Sequence, residues 1–227
     1  MPGDSAPQHP ATSSGGNPHL AAVYALGISG KPSDLKGIYD EWAASYDSDL
    51  ALPQQGYVGP VVATRALAKT GLSPDSVLLD AGCGTGLVGS QLKALGYGTV
   101  DGVDLSDGML REAAKTGAYR HLATADLTQK LDFKDASYDG VTCVGTLTLG
   151  HVGPQALEEL ARVTRPGGFV VSTILEDIWA IGGYAQYVEA MEKRGTVTVV
   201  SKELEPYRAG AGVEARTLVL RVNGLLN

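Results

Sequence analysis

A short apolar run that ends in an acid and leads into three alternating glycines constrains this chain most strongly. Residues 77–86 read VLLDAGCGTG, with the acid at Asp80. The apolar run predicts a buried strand, and the residues after Gly86 carry the spacing of a helix. A strand, a glycine turn and a helix N-terminus together form a concave backbone surface that can hold part of a nucleotide-like ligand. The stretch therefore predicts an α/β fold with a ligand site at this turn.

The glycines can be read in two registers. Gly84, Gly86 and Gly89 match the dinucleotide fingerprint G-x-G-x-x-G. That register requires the strand to continue through Asp80, and aspartate has a low propensity for strands. The register D-x-G-x-G-x-G starts its glycines at Gly82 and leaves Asp80 at the end of the strand. There the carboxylate can meet an ammonium group of the ligand. Read this way, DAGCGTG resembles motif I of the class I S-adenosylmethionine (SAM)-dependent methyltransferases.

Two further stretches carry the same resemblance. Residues 39–47 read YDEWAASYD, which is similar to a Y-D-x-W-A-x-x-Y-D segment ahead of motif I in several small-molecule methyltransferases. Residues 160–168 read LARVTRPGG and match L-x-R-V-x-R-P-G-G, a turn between a helix and a strand. The chain most resembles the Williams–Beuren-region methyltransferase-like proteins and the natural-product methyltransferases. The resemblance implies a doubly wound, mostly parallel seven-stranded sheet with helices on both faces and a C-terminal antiparallel strand.

Patterning divides the chain into three parts. Residues 1–18 are rich in Pro, Gly and Ser and predict a disordered tail. Residues 19–72 predict an N-terminal helical lid or cap, with one helix running over 33–46. Residues 73–227 alternate strand and helix patterns, which is typical of a parallel sheet, and are expected to form the SAM-binding core. Within that core, residues 178–191 predict a single helix.

A second acid closes the next predicted strand, residues 99–103. Asp104 follows the glycine turn by about twenty residues, where a carboxylate is expected to accept from ribose hydroxyls. The resemblance implies that Met109 flanks the adenine and that Asp126 accepts from its amine; a core methionine and a solvated loop acid are the alternatives. The residues expected to bind the cofactor are Tyr46, Asp80, Gly82, Cys83, Gly84, Gly86, Asp104, Leu105, Met109, Asp126, Leu127 and Cys143.

Three residues are candidates for work on the methyl acceptor. His151 follows the fourth predicted strand, at the carboxyl edge where an open α/β sheet binds ligands. Its ordinary pKa of about 6.5 suits proton removal near neutral pH, although an ordinary loop histidine is an equally open interpretation. Tyr24 and Tyr39 lie in the helical cap and are expected to orient a hydroxyl of the acceptor.

Composition narrows the partners. The net charge is −7 and no long basic run occurs, which argues against a nucleic-acid groove and favours a small molecule. No apolar run has membrane-spanning length and no signal-peptide pattern is seen, so a cytoplasmic protein that does not bind a membrane is expected. The two cysteines, Cys83 and Cys143, predict neither a disulfide framework nor a metal site. The sequence predicts no oligomeric state.

The function expected from the resemblance is transfer of a methyl group from SAM to a small-molecule acceptor, which leaves S-adenosylhomocysteine. Our first hypothesis for the acceptor is a hydroxyl of a secondary metabolite. Two alternatives stay open. An NAD(P)-dependent oxidoreductase would share the glycine turn and Asp104 but would leave Asp80 and the P-G-G turn unexplained. A SAM-binding protein without transferase activity would keep the cofactor residues.

Overall fold

The structure is a computed structural model that describes residues 14–26, 31–148 and 152–224. Its strands in chain order are β1 Val77–Ala81, β2 Thr99–Asp104, β3 His121–Thr124, β4 Tyr138–Leu147, β5 Thr164–Leu175, β6 Val197–Arg208 and β7 Val213–Val222. Its helices are α1 Pro18–Leu26, α2 Pro32–Trp42, α3 Tyr46–Ala51, α4 Gly59–Ala68, α5 Leu87–Ala94, α6 Asp107–Lys115, α7 Ala156–Val163, α8 Glu176–Ile181 and α9 Tyr184–Lys193.

The seven strands form one sheet in the order β3-β2-β1-β4-β5-β7-β6. β1 pairs in parallel with β2 and β4, and β4 pairs in parallel with β5. β7 is antiparallel to both β5 and β6, so it lies one strand inside the edge that β6 forms. This topology confirms the predicted doubly wound fold. The strand order reverses between β1 and β4, and such sheets bind ligands above that point, at the carboxyl ends of the strands.

Apolar side chains cover both faces of the sheet. On one face Leu78 packs with Leu67 of α4 and Leu92 of α5. On the other face Leu79 packs with the apolar sides of α7 and α9. Leu78 and Leu79 are neighbours in β1 and are both fully buried, because successive strand side chains point to opposite faces and both faces are covered. α4, which the sequence grouped with the cap, thus packs on the sheet.

Helices α1 to α3 form a separate cluster around Trp42, which is fully buried. The Trp42 indole N–H donates to Asp49 Oδ2 at 2.7 Å, and its ring centroid lies 4.5 Å from that of Tyr46. The single helix predicted over 33–46 is wrong, since α2 ends at Trp42 and residues 43–45 form a turn before α3. Asp49 Oδ2 also accepts from Ser45 Oγ at 3.2 Å, so this carboxylate fixes the turn.

The single helix predicted over 178–191 is also wrong. α8 ends at Ile181, and α9 begins at Tyr184 after two glycines. Gly183 has φ +78°, a left-handed conformation that breaks the helix and that residues with side chains rarely adopt. The apolar periodicity runs across the break, because both helices pack on the same core cluster.

The P-G-G turn lies at the start of β5. A Cβ atom added to Gly168 would come within 2.4 Å of the Asp139 carbonyl oxygen, so only glycine allows the two chain segments to lie this close. The pairing of β4 with β5 is irregular between Tyr138 and Gly140, beside this turn.

In the three described ranges no helix has the length and hydropathy needed to cross a membrane.

Candidate active site

The glycine turn joins β1 to α5 and lies against two neighbouring strands. Gly82, Gly84 and Gly86 all have left-handed φ values, of +76°, +54° and +94°. The backbone N–H groups of Gly82 and Cys83 donate to the Val103 carbonyl of β2 at 2.8 and 2.9 Å. A Cβ atom on Gly82 would lie 2.1 Å from Thr146 Oγ1 of β4. Glycine is therefore required here both by backbone conformation and by close packing.

Asp104, at the end of β2, holds the turn directly. Its Oδ2 accepts from the Gly84 N–H at 2.8 Å, and its Oδ1 accepts from the Ser106 N–H at 2.9 Å. Burial raises the pKa of Asp104, although the backbone donors and especially Ser106 oppose that shift by stabilising the ionised form. The side chain remains partly accessible and lines a cavity above the sheet.

This cavity encloses about 720 Å³ of space free of protein atoms, a figure that includes its open mouth. It lies where the sheet order reverses. We call it the donor cavity, and its walls are formed by Pro32, Tyr39, Tyr46, Gly82, Gly84, Asp104, Leu105, Met109, Ala125, Asp126, Leu127, Thr128, Val144, Gly145, Thr146 and Val152.

The lining of the donor cavity fits a nucleoside. Asp104 brings a carboxylate that can accept from a diol, and the apolar side chain of Met109 offers a polarizable surface to an aromatic base. Asp126 lies at the same wall, where its Oδ1 accepts from the N–H and hydroxyl of Thr128 at 2.8 and 2.7 Å. A Cβ atom on Gly84 would meet no protein atom within 4 Å, so the turn leaves space beside it.

Four of the residues predicted to bind the cofactor do not line the cavity: Asp80, Cys83, Gly86 and Cys143. Both cysteines are buried, and burial raises the pKa of the Cys143 thiol to about 12, so it stays protonated. Gly86 forms the N-cap of α5. These three support the backbone of the site, and a direct contact between any of them and the cofactor remains a prediction.

Asp80 lies fully buried beneath the turn. One carboxylate oxygen accepts from the Tyr119 hydroxyl at 2.7 Å, and the other accepts from Thr142 Oγ1 at 2.9 Å. Burial raises its pKa to about 6, against the opposing effect of these two donors. The expected contact with a ligand ammonium group stays a prediction. Both carboxylate oxygens already accept hydrogen bonds within the protein, one from Tyr119 just before β3 and one from Thr142 in β4.

Tyr119 is a site residue that the sequence did not reveal. Its hydroxyl accepts from the Gly89 N–H of α5 at 3.2 Å and donates to Asp80. A Cβ atom on Gly89 would lie 2.3 Å from the Tyr119 ring. This tyrosine precedes a short strand and carries no local signal, because its role depends on a contact across 39 residues of sequence.

Asp40 is a second such residue, although it belongs to the Y-D-x-W-A segment. Its Oδ1 accepts from Ser106 Oγ and the Gly108 N–H, both at 2.7 Å, and its Oδ2 accepts from Lys36 at 2.7 Å. Burial opposes ionisation, but these donors outweigh it and lower the pKa of Asp40 to about 2. Asp40 thereby attaches α2 to the N-terminus of α6, immediately after Asp104.

The tyrosines of the cap reach the site. Tyr39 and Tyr46 line the donor cavity and also a neighbouring one of about 430 Å³, which we call the second cavity. Desolvation raises the pKa of both phenols, so their hydroxyls stay protonated near neutral pH. Tyr24 lines the second cavity only, and His151 lies outside the described residues. The full lining of the second cavity is Leu20, Val23, Tyr24, Tyr39, Tyr46, Leu50, Tyr57, Gly145, Thr148, Leu175, Tyr207 and Arg208.

Comparison with known proteins gives this geometry a family. A family model described as a methyltransferase domain matches residues 79–172. Methyltransferase-like protein 27 from Homo sapiens is 38% identical over 157 residues, which cover 68% of this chain and 61% of that protein. Malonyl-acyl-carrier-protein O-methyltransferase from Serratia marcescens is 33% identical over 186 residues, which cover 78% of this chain and 68% of that protein. The chain belongs to the class I SAM-dependent methyltransferases.

A solved structure agrees on the fold of this methyltransferase. The structure of the 4+2 cyclase SpnF superposes with a TM-score of 0.66 at 16% identity and covers 85% of this chain and 97% of that one. At that identity the likeness extends to the fold alone. SAM is the methyl donor of the family, and the carboxylate, glycine turn and apolar wall of the donor cavity are chemically suited to its nucleoside. Within the part of the chain that the structure describes, no group of three His, Cys, Asp or Glu side chains is arranged to hold a metal ion.

Proposed function

We propose that this methyltransferase transfers the methyl group of SAM to a hydroxyl oxygen of a small molecule. The substrate class that we propose is a secondary metabolite, and the proposed location is the cytoplasm. The observation that carries the proposal is the second cavity, which shares Tyr39, Tyr46 and Gly145 with the donor cavity. An acceptor in the second cavity would thus lie against the methionine end of the donor. The name of the Serratia marcescens relative, an O-methyltransferase, also supports oxygen as the acceptor atom.

A left-handed glycine permits the two cavities to meet. Gly145 of β4 has φ +78°, and a Cβ atom there would lie 2.9 Å from the Tyr207 hydroxyl and 3.1 Å from the Tyr57 hydroxyl. The two hydroxyls are 3.3 Å apart. Burial raises the pKa of Tyr207 to about 12 and that of Tyr57 well above its ordinary value, so both phenols are neutral near pH 7. Tyr207 donates to Tyr57, which leaves the Tyr57 proton for an acceptor oxygen, and neither phenol is suited to serve as a base.

Bound SAM supplies a methyl group on a positively charged sulfur, which is a good leaving group. The new O–C bond forms as the S–C bond breaks, and the electron pair of that bond stays on sulfur. The chain's part is to align the acceptor and to exclude water, and alignment alone can supply about 7–11 kcal/mol. The aromatic cluster of the cap closes the site on the side of α2 and α3.

A general base is needed only for an acceptor that carries a proton at the working pH, and it then contributes about 10²- to 10⁴-fold. His151 is our candidate for that base because it follows β4 in sequence. His151→Ala is expected to lower turnover while the affinity for the donor stays unchanged. Equal turnover in this variant and the parent would remove His151 as the base.

The proposal is tested with SAM labelled in its methyl group and a panel of phenols, hydroxypyrones, amines and carboxylic acids. We expect label in an oxygen-methylated product, and none with the Asp104→Asn variant as a matched control. Label found only on nitrogen would contradict oxygen as the acceptor atom. Tight donor binding with no transfer to any compound would favour a SAM-binding protein that does not catalyse methyl transfer.

A further inference from the structure

Tyrosine side chains form much of the wall of the second cavity. Five of its twelve lining residues are tyrosines, and these five are half of the ten tyrosines in the chain: Tyr24, Tyr39, Tyr46, Tyr57 and Tyr207. Tyr57 and Tyr207 pack edge to face, with ring centroids 5.1 Å apart and planes at 75°. Aromatic rings prefer such tilted or offset contacts with one another. A planar aromatic guest would therefore find matching surfaces along this wall.

The hydroxyl of Tyr46 is a donor that the protein does not use. Within the part of the chain that the structure describes, it makes no hydrogen bond. The Tyr46 ring lines both cavities and packs at 4.5 Å, centroid to centroid, on the buried ring of Trp42. Burial raises the pKa of this phenol well above its ordinary value, so it keeps its proton. A neutral donor thus lies where the two cavities meet, held there by the packing of its ring.

Tyr57 brings a second unused proton to the same place. Its oxygen accepts from the Tyr207 hydroxyl at 3.3 Å, and its own proton has no acceptor among the described residues. Gly145 lines both cavities, and a Cβ atom there would lie 3.1 Å from the Tyr57 hydroxyl, so this hydroxyl is beside their junction. Burial, and then the proximity of Tyr207 and Tyr46, raises the pKa of Tyr57 well above its ordinary value.

We propose that the methyl acceptor is an aromatic alcohol whose ring packs against the tyrosine rings and whose oxygen accepts from the hydroxyls of Tyr46 and Tyr57. The proposal deepens the proposed function and rests on it for the position of the acceptor. A hydroxyl oxygen has two lone pairs and can accept both hydrogen bonds. A saturated polyol would make poorer contact with the aromatic wall.

Two donors at the acceptor oxygen also assist the reaction. A phenol ionises near pH 10, about where tyrosine does. Hydrogen bonds to the charged form favour that form, so the bound phenol loses its proton to water more readily. The resulting oxygen anion forms the O–C bond as the S–C bond of SAM breaks, and the electron pair of that bond stays on sulfur. Tyr46 and Tyr57 keep their own protons throughout.

A purely structural role for the two tyrosines makes a different prediction. Their rings pack against the cap cluster that contains Trp42, and phenylalanine keeps such a ring. If the rings alone matter, removal of a hydroxyl changes no affinity. If the hydroxyls bind the acceptor, Tyr46→Phe and Tyr57→Phe each weaken the binding of a phenol while the fold is retained.

The experiment measures binding by calorimetry to the full chain saturated with S-adenosylhomocysteine. Phenols are compared with their saturated counterparts: 4-methylphenol with 4-methylcyclohexanol, 4-ethylphenol with 4-ethylcyclohexanol, and 2-naphthol with decahydro-2-naphthol. The parent is expected to bind at least one phenol more tightly than its counterpart. Tyr46→Phe and Tyr57→Phe are each expected to weaken binding of that phenol about 3- to 10-fold, while binding of toluene, which lacks the hydroxyl, is unchanged.

The matched control is Tyr187→Phe. It removes a half-buried hydroxyl that lies outside both cavities and makes no hydrogen bond in the described part of the chain, so no affinity should change. A second readout is the pH dependence of labelled methyl transfer at saturating phenol. The half-maximal rate should move to higher pH in Tyr46→Phe and Tyr57→Phe, because the bound phenol ionises less readily. A merely structural role would leave that pH unchanged.

Binding of no phenol by the parent, or binding of every phenol no tighter than its saturated counterpart, would overturn the proposal. Parent-like phenol affinity in either Tyr46→Phe or Tyr57→Phe would overturn the site with two donors, as would an equal loss in Tyr187→Phe. Phenol binding that depends on both hydroxyls, without methyl transfer to any compound, would support the binding site and refute the proposed function. Transfer to saturated alcohols alone would support the proposed function and overturn the aromatic acceptor.

Discussion

Two glycines with positive φ, Gly84 in the glycine turn and Gly96 after α5, allow ligand binding by the turn to be separated from the stability cost of replacing a glycine. Gly84 has φ +54° and Gly96 has φ +93°, and at both positions an added Cβ atom would meet no protein atom within 4 Å. Gly84 lines the donor cavity at the N-terminal end of α5, whereas Gly96 lies just beyond the C-terminal end of that helix. Gly84→Ala and Gly96→Ala therefore both impose the strain of a positive φ, at different places in the fold.

The strain is the cost of a left-handed conformation for a residue with a Cβ atom, roughly 1–2 kcal/mol. For a domain of this size about 1 kcal/mol lowers Tm by roughly 2–4 °C, so both variants should melt about 2–8 °C below the parent. In Gly84→Ala the new methyl group also enters space that we assign to the donor. Overpacking by one methyl costs about 1–3 kcal/mol, which corresponds to roughly a 5- to 150-fold loss of affinity.

The assay is calorimetric titration of each variant with S-adenosylhomocysteine, alongside thermal melting without ligand. We expect a lowered Tm for both variants and weakened binding only for Gly84→Ala. Parent-like affinity in Gly84→Ala would refute the assignment of the space beside the turn to the donor. An equal loss of affinity in both variants would show that backbone strain alone explains the effect.

Three further outcomes follow from the polar contacts of Asp80, Asp40 and Tyr119. The pKa of Asp80 is about 6 in the folded state against an ordinary 3.8, so the folded state binds this proton more tightly than the unfolded state does. The free energy of unfolding should therefore fall by about 3 kcal/mol as pH rises from about 4 to 6. Asp80→Asn should remove that fall in urea melts. Asp40→Ala leaves Ser106 Oγ and the Gly108 N–H without their acceptor, while Lys36 keeps Asp107. The variant should lower the free energy of unfolding by about 1–3 kcal/mol, with exposed Asp75→Ala as an unaffected control. Tyr119→Phe should cost about 1–2 kcal/mol in the same melts, and no change would mean that Asp80 is satisfied without it.

The sheet and the position of its ligand site follow from local patterns in the sequence. Apolar runs that end at Asp80 and Asp104 predict two buried parallel strands, and both acids lie at the carboxyl edge of the sheet. The glycine turn between them has the left-handed conformations that its composition indicates. These features are predictable because each depends on residues close together in the chain.

Contacts between distant segments are where sequence reasoning stops. Nothing near Tyr119 or Asp40 indicates that they hold the glycine turn and α6, since each contact joins residues more than thirty positions apart. Arg208 ends β6 and is buried beside an irregularity in the pairing of β6 with β7, between Pro206 and Arg208, which no local pattern indicates. The sequence predicts one helix across Gly183 because the apolar spacing of α8 continues into α9. The adjacent glycines Gly182 and Gly183 are the local feature that indicates the break.

We assign the cavity above Asp104 to SAM. This assignment is tested by titrating the parent, Asp104→Asn and Asp75→Asn with S-adenosylhomocysteine, because Asp75 is an exposed acid near the opposite end of β1. We predict binding by the parent and Asp75→Asn, and an affinity at least about tenfold lower for Asp104→Asn. Equal affinity in all three proteins, or no binding by the parent, would contradict the claim.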